Sequence, residues 1–237
     1  MMTKTTIQAV SDDLTPLEVG HVAYACGWTA APTPARLALT RCFGVDSIKA
    51  CLAPPFVGGC EVEEAGWTVP GPRFLRHLQA GGMGLMVSTG SAYQYDLAFT
   101  FTTALCRRHP ELAPRAEDID RSVHELVANA VVHGNLEVAS PRPGLEGFDA
   151  YCKALDAALA DPRRLGRRIE VSACCADGAV EIAVRDHGAG YDIHDVTRIQ
   201  VEAEPRQHGL SIITAVSELA VEDGGRCAVV RLSLAVP

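Results

Sequence analysis

The chain has no C-x-x-C pair, no apolar run near the roughly 18 residues a membrane span needs, and no excess of positive charge. Each absence removes a class of function. The nine cysteines, Cys26, Cys42, Cys51, Cys60, Cys106, Cys152, Cys174, Cys175 and Cys227, are odd in number and scattered. Neither a zinc site nor a disulfide framework is expected from them; reduced thiols serving as small core residues are. A net charge of −8 argues against the broad basic footprint that binds nucleic acid, so no nucleic-acid partner is expected. The first residues do not lead into an apolar segment with a small-residue cleavage site, so no membrane partner is expected and the expected location is cytoplasmic. Internal repeats and low-complexity tracts are missing too.

What is present is the composition of a folded protein, 48% hydrophobic and 21% charged over 237 residues. That length suits one large domain or a core domain with a substantial extension. Residues 1–92 carry both tryptophans and many Gly, Pro and Ala residues, and are expected to form a small α/β accessory region. Short strands are predicted over 5–10, 21–25 and 84–87, with a helix over 73–79 that puts Phe74, Leu75 and Leu78 on one side. Asp12 and Asp13 follow the first strand, but no central Asp or later Lys completes a receiver-like acidic site. The Gly81-Gly82-Met83-Gly84 run reads as a turn.

Residues 93–237 are more regular. Leu97, Phe99 and Phe101 alternate as in a strand, and a helix is predicted over 103–108. A longer helix is predicted from Ala116, with acids in its first turn, to His133, closed by Gly134 as C-terminal cap. Phe148, Tyr151, Cys152, Leu155 and Leu159 fall at helical spacing. Ile169, Val171 and Ala173, then Val180, Ile182 and Val184, alternate about Asp177-Gly178, which predicts a hairpin. A helix with Leu210, Ile213, Val216 and Ala220 buried is predicted next, then a last strand over 227–236. The expected class is α/β, an α+β sandwich whose mixed, largely antiparallel sheet is covered by helices on one face.

Three motifs carry chemistry. Glu125 and Asn129 lie one helical turn apart, and His133 extends the same face. A carboxylate there can take a proton from an attacking hydroxyl, and an amide oxygen can serve Mg²⁺, whose other ligands come from phosphates and water. Asp186, Gly188 and Gly190 follow an apolar strand, where a carboxylate can accept an N–H from an exocyclic amine. His208, Gly209 and Leu210 open a predicted helix, whose free N–H groups favour an anion.

Together these motifs resemble the histidine-kinase-like ATPase superfamily, in its anti-sigma-factor serine/threonine kinase branch. Glu125 and the run Asn129-Ala130-Val131-Val132-His133-Gly134-Asn135-Leu136-Glu137 resemble its N box. Asp186 to Gly190 resembles the G1 box and His208-Gly209-Leu210 the G2 box. The resemblance covers residues 95–237 and implies the superfamily's ATP-binding fold. It implies that Glu125 activates the nucleophile, Asn129 binds Mg²⁺ and Asp186 contacts adenine. Gly188 and Gly190 would shape the pocket, Gly209 and Leu210 would lie by the phosphates, and His133 would stand at the helix end beside the nucleotide. ATP and Mg²⁺ are the implied cofactors, and an antagonist (STAS-like) protein or a sigma factor the implied partner; a homodimer is compatible.

One departure stands out. The family's G-x-G-L has Gln207 in place of its first glycine, which stiffens the loop expected over the phosphates. A module that binds nucleotide or sequesters a partner without catalysis is therefore the competing reading. A detached catalytic domain of a two-component histidine kinase is a third. Arg163, Arg164, Arg167 and Arg168 form the one basic cluster, open to an acidic partner or simply solvated.

Overall fold

The computed structural model describes residues 6–29, 31–63, 67–190 and 217–234. The strands are β1 (Ile7–Val10), β2 (Ala35–Thr40), β3 (Phe56–Glu61), β4 (Met83–Ser88), β5 (Arg168–Ala176), β6 (Ala179–Arg185), β7 (Glu218–Glu222) and β8 (Cys227–Ser233). The helices are α1 (Pro16–Cys26), α2 (Val45–Cys51), α3 (Pro72–Gln79), α4 (Thr89–Gln94), α5 (Leu97–Arg108), α6 (Ala116–Asn129), α7 (Leu145–Leu159) and α8 (Pro162–Gly166). These strands form one mixed sheet in the order β1-β2-β3-β4-β5-β6-β8-β7. Pairing is parallel from β1 to β4 and antiparallel from β4 onward. The α/β class and the mixed sheet agree with expectation, and the sheet crosses residue 92 without a break.

Helices cover both faces of this sheet, not one. Strand alternation sends Leu85 and Val87 of β4 and Ile169 and Val171 of β5 into one apolar cluster, with Phe101 and Leu105 of α5 and Ile119, Val123 and Leu126 of α6. Met86 of β4 points the other way. It joins Leu37 and Leu39 of β2, Val22 of α1, and Phe74 and Leu78 of α3. Each fully buried aliphatic side chain contributes about 2 kcal/mol over exposure. The polar residues of β5 and β6 on this second face look solvent-facing in the sequence, but α3 lies over them, with His77 bonded to Ser172.

Two predicted strands are helices. Residues 21–25 belong to α1, which Thr15 opens with a capping box to Glu18 and Pro16 at its first turn. Leu97, Phe101 and Leu105 repeat every four residues on the buried side of α5, while Phe99 is 63% exposed. Asp96 caps that helix by accepting the Phe99 N–H at 3.0 Å. The predicted helix reaching Ala220 does not extend that far. Glu218–Glu222 pairs with β8, and Ala220 is exposed opposite Val229. The hairpin β5–β6, helix α3 and helix α7 fall where expected, and β8 ends at Ser233.

Candidate functional site

Helix α6 brings Glu125 and Asn129 to one half-buried face, while Val123, Val127, Ala130 and Val131 pack into the core. The helix does not stop at Gly134. A π-helical turn, Ala130–Asn135, carries it on, and the left-handed residue beyond is Glu137 with φ 56°. Gly134 is required for a different reason than capping. A Cβ there would lie 2.5 Å from Asp186 Cγ and 2.7 Å from its Oδ2. Gly188 reciprocates, since its Cβ would lie 2.1 Å from the Gly134 carbonyl oxygen. The end of the helix and the end of β6 therefore touch backbone to backbone. Asn129 stands about one turn back along the same helix from Gly134. His133 is exposed; its Nδ1–H donates to the Val138 carbonyl at 2.6 Å, since a carbonyl can only accept.

Asp186 extends β6 by donating its N–H to the Arg226 carbonyl at 2.9 Å. Its side chain is buried, and Oδ1 accepts the Gly188 N–H at 2.8 Å. Burial pushes the Asp186 carboxyl above its ordinary range, against the lowering effect of that N–H and of His187, Arg185 and Arg226. A buried acid of this kind beside glycine backbone marks a functional-site candidate. Gly190 has φ 80° and lies against the Gly224 carbonyl of the following turn.

Residues that motif reading did not single out hold this segment. Asn135 is fully buried. Its Nδ2 donates to Thr89 Oγ1 at 2.7 Å and to the Arg168 carbonyl at 2.9 Å, and its Oδ1 accepts the His187 N–H at 2.7 Å. Glu170 lies on the opposite face of the sheet, 2% exposed, paired with Arg185 at 3.1 Å. Asn135 stands within the run that resembles an N box and so has a sequence signal. Glu170 had only its charge at an alternating strand position.

The basic cluster is mostly consumed internally. Arg164 donates to the Leu136 carbonyl, and Arg167 reaches the Asn135 carbonyl at 2.6 Å and Glu137 at 2.7 Å. Both thus close the carbonyl end of the π-helical turn. Arg168 is buried against Glu61 at 3.4 Å and Glu63 at 3.1 Å, and Arg163 alone of the four is exposed. Asp13 accepts Thr40 Oγ1 and the Arg41 N–H, both at 2.8 Å, which ties the loop after β1 to the end of β2. Ser172, His77 and Glu181 form a line at 2.9 and 2.8 Å that mimics a hydrolase triad. Ser172 and His77 are buried between the sheet and α3, so no substrate reaches them and the line is structural.

Among the described residues, no three or more His, Cys, Asp or Glu side chains gather to hold a metal ion. An ion taken up through Asn129 would rely on phosphate and water for its other ligands, as Mg²⁺ does. Gly209 and Leu210, with the helix predicted to begin there, lie outside the described residues. No helix among the described residues is long and apolar enough to cross a membrane. No protein-family model matches the chain, and no curated protein matches it.

Proposed function

We propose that the chain is an ATP-binding regulatory protein, an anti-sigma-factor-type serine/threonine kinase that phosphorylates an antagonist protein. One observation carries the reading: the close approach of Gly134, Asp186 and Gly188, which joins the N-box helix to the strand end bearing the G1 carboxylate. Two motifs distant in sequence thus become one wall, with a buried carboxylate in it.

In this reading Asp186 accepts the exocyclic N–H of adenine, and Asn129 holds Mg²⁺. Bound Mg–ATP supplies the γ-phosphoryl group and the charge neutralisation that its transfer needs. Glu125 takes the proton of a Ser or Thr hydroxyl as the oxygen–phosphorus bond forms; the bridging oxygen–phosphorus bond breaks and ADP leaves. Glu125 is half-buried on the α6 face that also carries Asn129, as such a role requires.

The test uses labelled ATP, Mg²⁺ and the STAS-like antagonist proteins of the same organism. Transfer to a Ser or Thr by the wild type, lost in Glu125→Ala, is the expected result. Equal transfer by the variant, or none by the wild type, contradicts the kinase reading. Gln207 favours the alternative of a nucleotide-binding module that sequesters its partner; ATP binding without transfer would select it.

A further inference from the structure

The segment Asp186-His187-Gly188 is held from both faces of the sheet. On one face Asn135 takes the His187 N–H. On the other, the His187 ring turns toward Glu170 and Arg185. His187 Nε2 lies 2.9 Å from Arg185 Nη1 and 3.2 Å from Glu170 Oε1, and Arg185 Nη1 lies 3.1 Å from the same carboxylate oxygen. Arg185 donates to Glu170, and His187 Nε2 lies within hydrogen-bond reach of both, so ring, guanidinium and carboxylate form one group. The second Glu170 oxygen accepts the Gly71 N–H at 2.8 Å.

The Pro70-Gly71-Pro72 segment closes this group from outside. A Cβ on Gly71 would lie 2.7 Å from Arg185 Cδ and 3.1 Å from Glu170 Oε2. The arrangement continues to the next turn, because Arg185 Nε donates to Asp223 at 2.9 Å. That turn also leads to Arg226, whose carbonyl accepts the Asp186 N–H. Glu170 thus reaches the residues immediately before and after Asp186. A buried carboxylate carries a desolvation cost that a leucine would not. What it offers instead is direction.

We propose that Glu170 is a specificity-determining positioning residue. Through His187 and Arg185 it fixes the angle at which the Asp186 carboxylate meets the exocyclic amine of a bound nucleotide. The assignment rests on the ATP-binding reading above. Its consequence is specific: losing Glu170 weakens recognition of the amine and leaves recognition of sugar and phosphates unchanged. It also makes the start of α3, the crossover helix between β3 and β4, part of the base-reading apparatus.

The experiment compares ATP with inosine triphosphate, which has the same sugar and phosphates but a carbonyl where ATP has the amine. Calorimetric titrations in Mg²⁺ are run on the wild type, Asp186→Asn, Glu170→Gln and His187→Leu. His187→Leu keeps the backbone N–H that Asn135 needs, and its partly exposed side chain makes it the variant that folds if Glu170→Gln does not. The wild type is expected to favour ATP by about tenfold or more, the worth of a charge-assisted hydrogen bond. Glu170→Gln and His187→Leu are expected to shrink that ratio by about threefold or more with inosine triphosphate affinity unchanged. A purely structural role would lower both affinities together. Folded variants that keep the wild-type ratio while Asp186→Asn loses it overturn the Glu170 assignment and leave the ATP reading standing. A wild type that binds neither nucleotide, or an Asp186→Asn with an unchanged ratio, overturns both.

Discussion

The two faces of the β5–β6 hairpin are built from opposite materials. Ile169, Val171, Ile182 and Val184 face α5 and α6 in a continuous apolar layer. Glu170, Ser172, Glu181 and Arg185 lie on the α3 side: Arg73 pairs with Glu181, His77 bonds to Glu181 and Ser172, and Arg185 pairs with Glu170. Both faces are interior, yet they do different things. Apolar burial is non-directional and scales with area, so the first face supplies stability. Buried ion pairs roughly break even energetically but fix angles, so the second supplies position. The candidate site lies where the two meet, at the end of β6.

This contrast can be broken from either side. The largest effect is expected on the apolar face: Phe101→Ala should destabilise the protein by about 4 kcal/mol through its cavity and lost burial. Urea unfolding would show a lower midpoint at unchanged slope. A loss well under half of that would mean the layer is loosely packed.

On the polar face, Arg185→Met should cost about 3 kcal/mol, because it leaves Glu170 buried without its cation. Adding Glu170→Leu should recover part of the loss. Costs that simply add would show that the two do not act as a unit.

A smaller effect is expected with pH. Burial lowers the His77 pKa below its ordinary 6.5, although Glu181 works in the opposite direction. The unfolded chain therefore binds a proton that the folded one resists, so this contribution is present above 6.5 and lost as pH falls toward the folded value. His77→Gln should flatten that part of the stability–pH curve. An unchanged slope would show that His77 is not its source.

The smallest stability effect belongs to the site itself. Burial raises the Asp186 pKa above 3.8. That group's contribution is therefore present below 3.8 and lost as pH rises through its folded value. At neutral pH the charge opposes folding, and an Asn keeps an oxygen for the Gly188 N–H. Asp186→Asn should leave thermal stability unchanged or slightly raised, as measured by calorimetry. A marked loss would make Asp186 a structural residue and not one held ready for a ligand.

The same contrast explains what was legible in the sequence. The hairpin was readable because its apolar face alternates cleanly and Asp177 and Gly178, at φ 52° and 68°, supply its turn. Its polar face was not, since Glu170 and Arg185 look solvated until α3 is placed over them. Leu97, Phe99 and Phe101 mimicked a strand over five residues. The four-residue repeat continuing to Leu105, with Asp96 as cap, is what makes α5 a helix. Gly134 reads as a helix cap in the sequence; in the fold it gives Asp186 room, a contact made by a strand distant in sequence. Glu125 and Asn129 share a face of α6 as their spacing predicts, and Asp186 follows the apolar strand β6 as its context predicts. Asn135 and Glu170, which hold the segment carrying Asp186, act through tertiary contacts that no local pattern encodes.

The central claim is that the joined ends of α6 and β6 form a nucleotide site read by Asp186. Calorimetric titration of Mg–ATP into the wild type and Asp186→Asn tests it most directly. The account predicts saturable binding to the wild type, weakened by about tenfold or more in an equally stable variant. No binding to the wild type, or equal affinity in the two proteins, would contradict it.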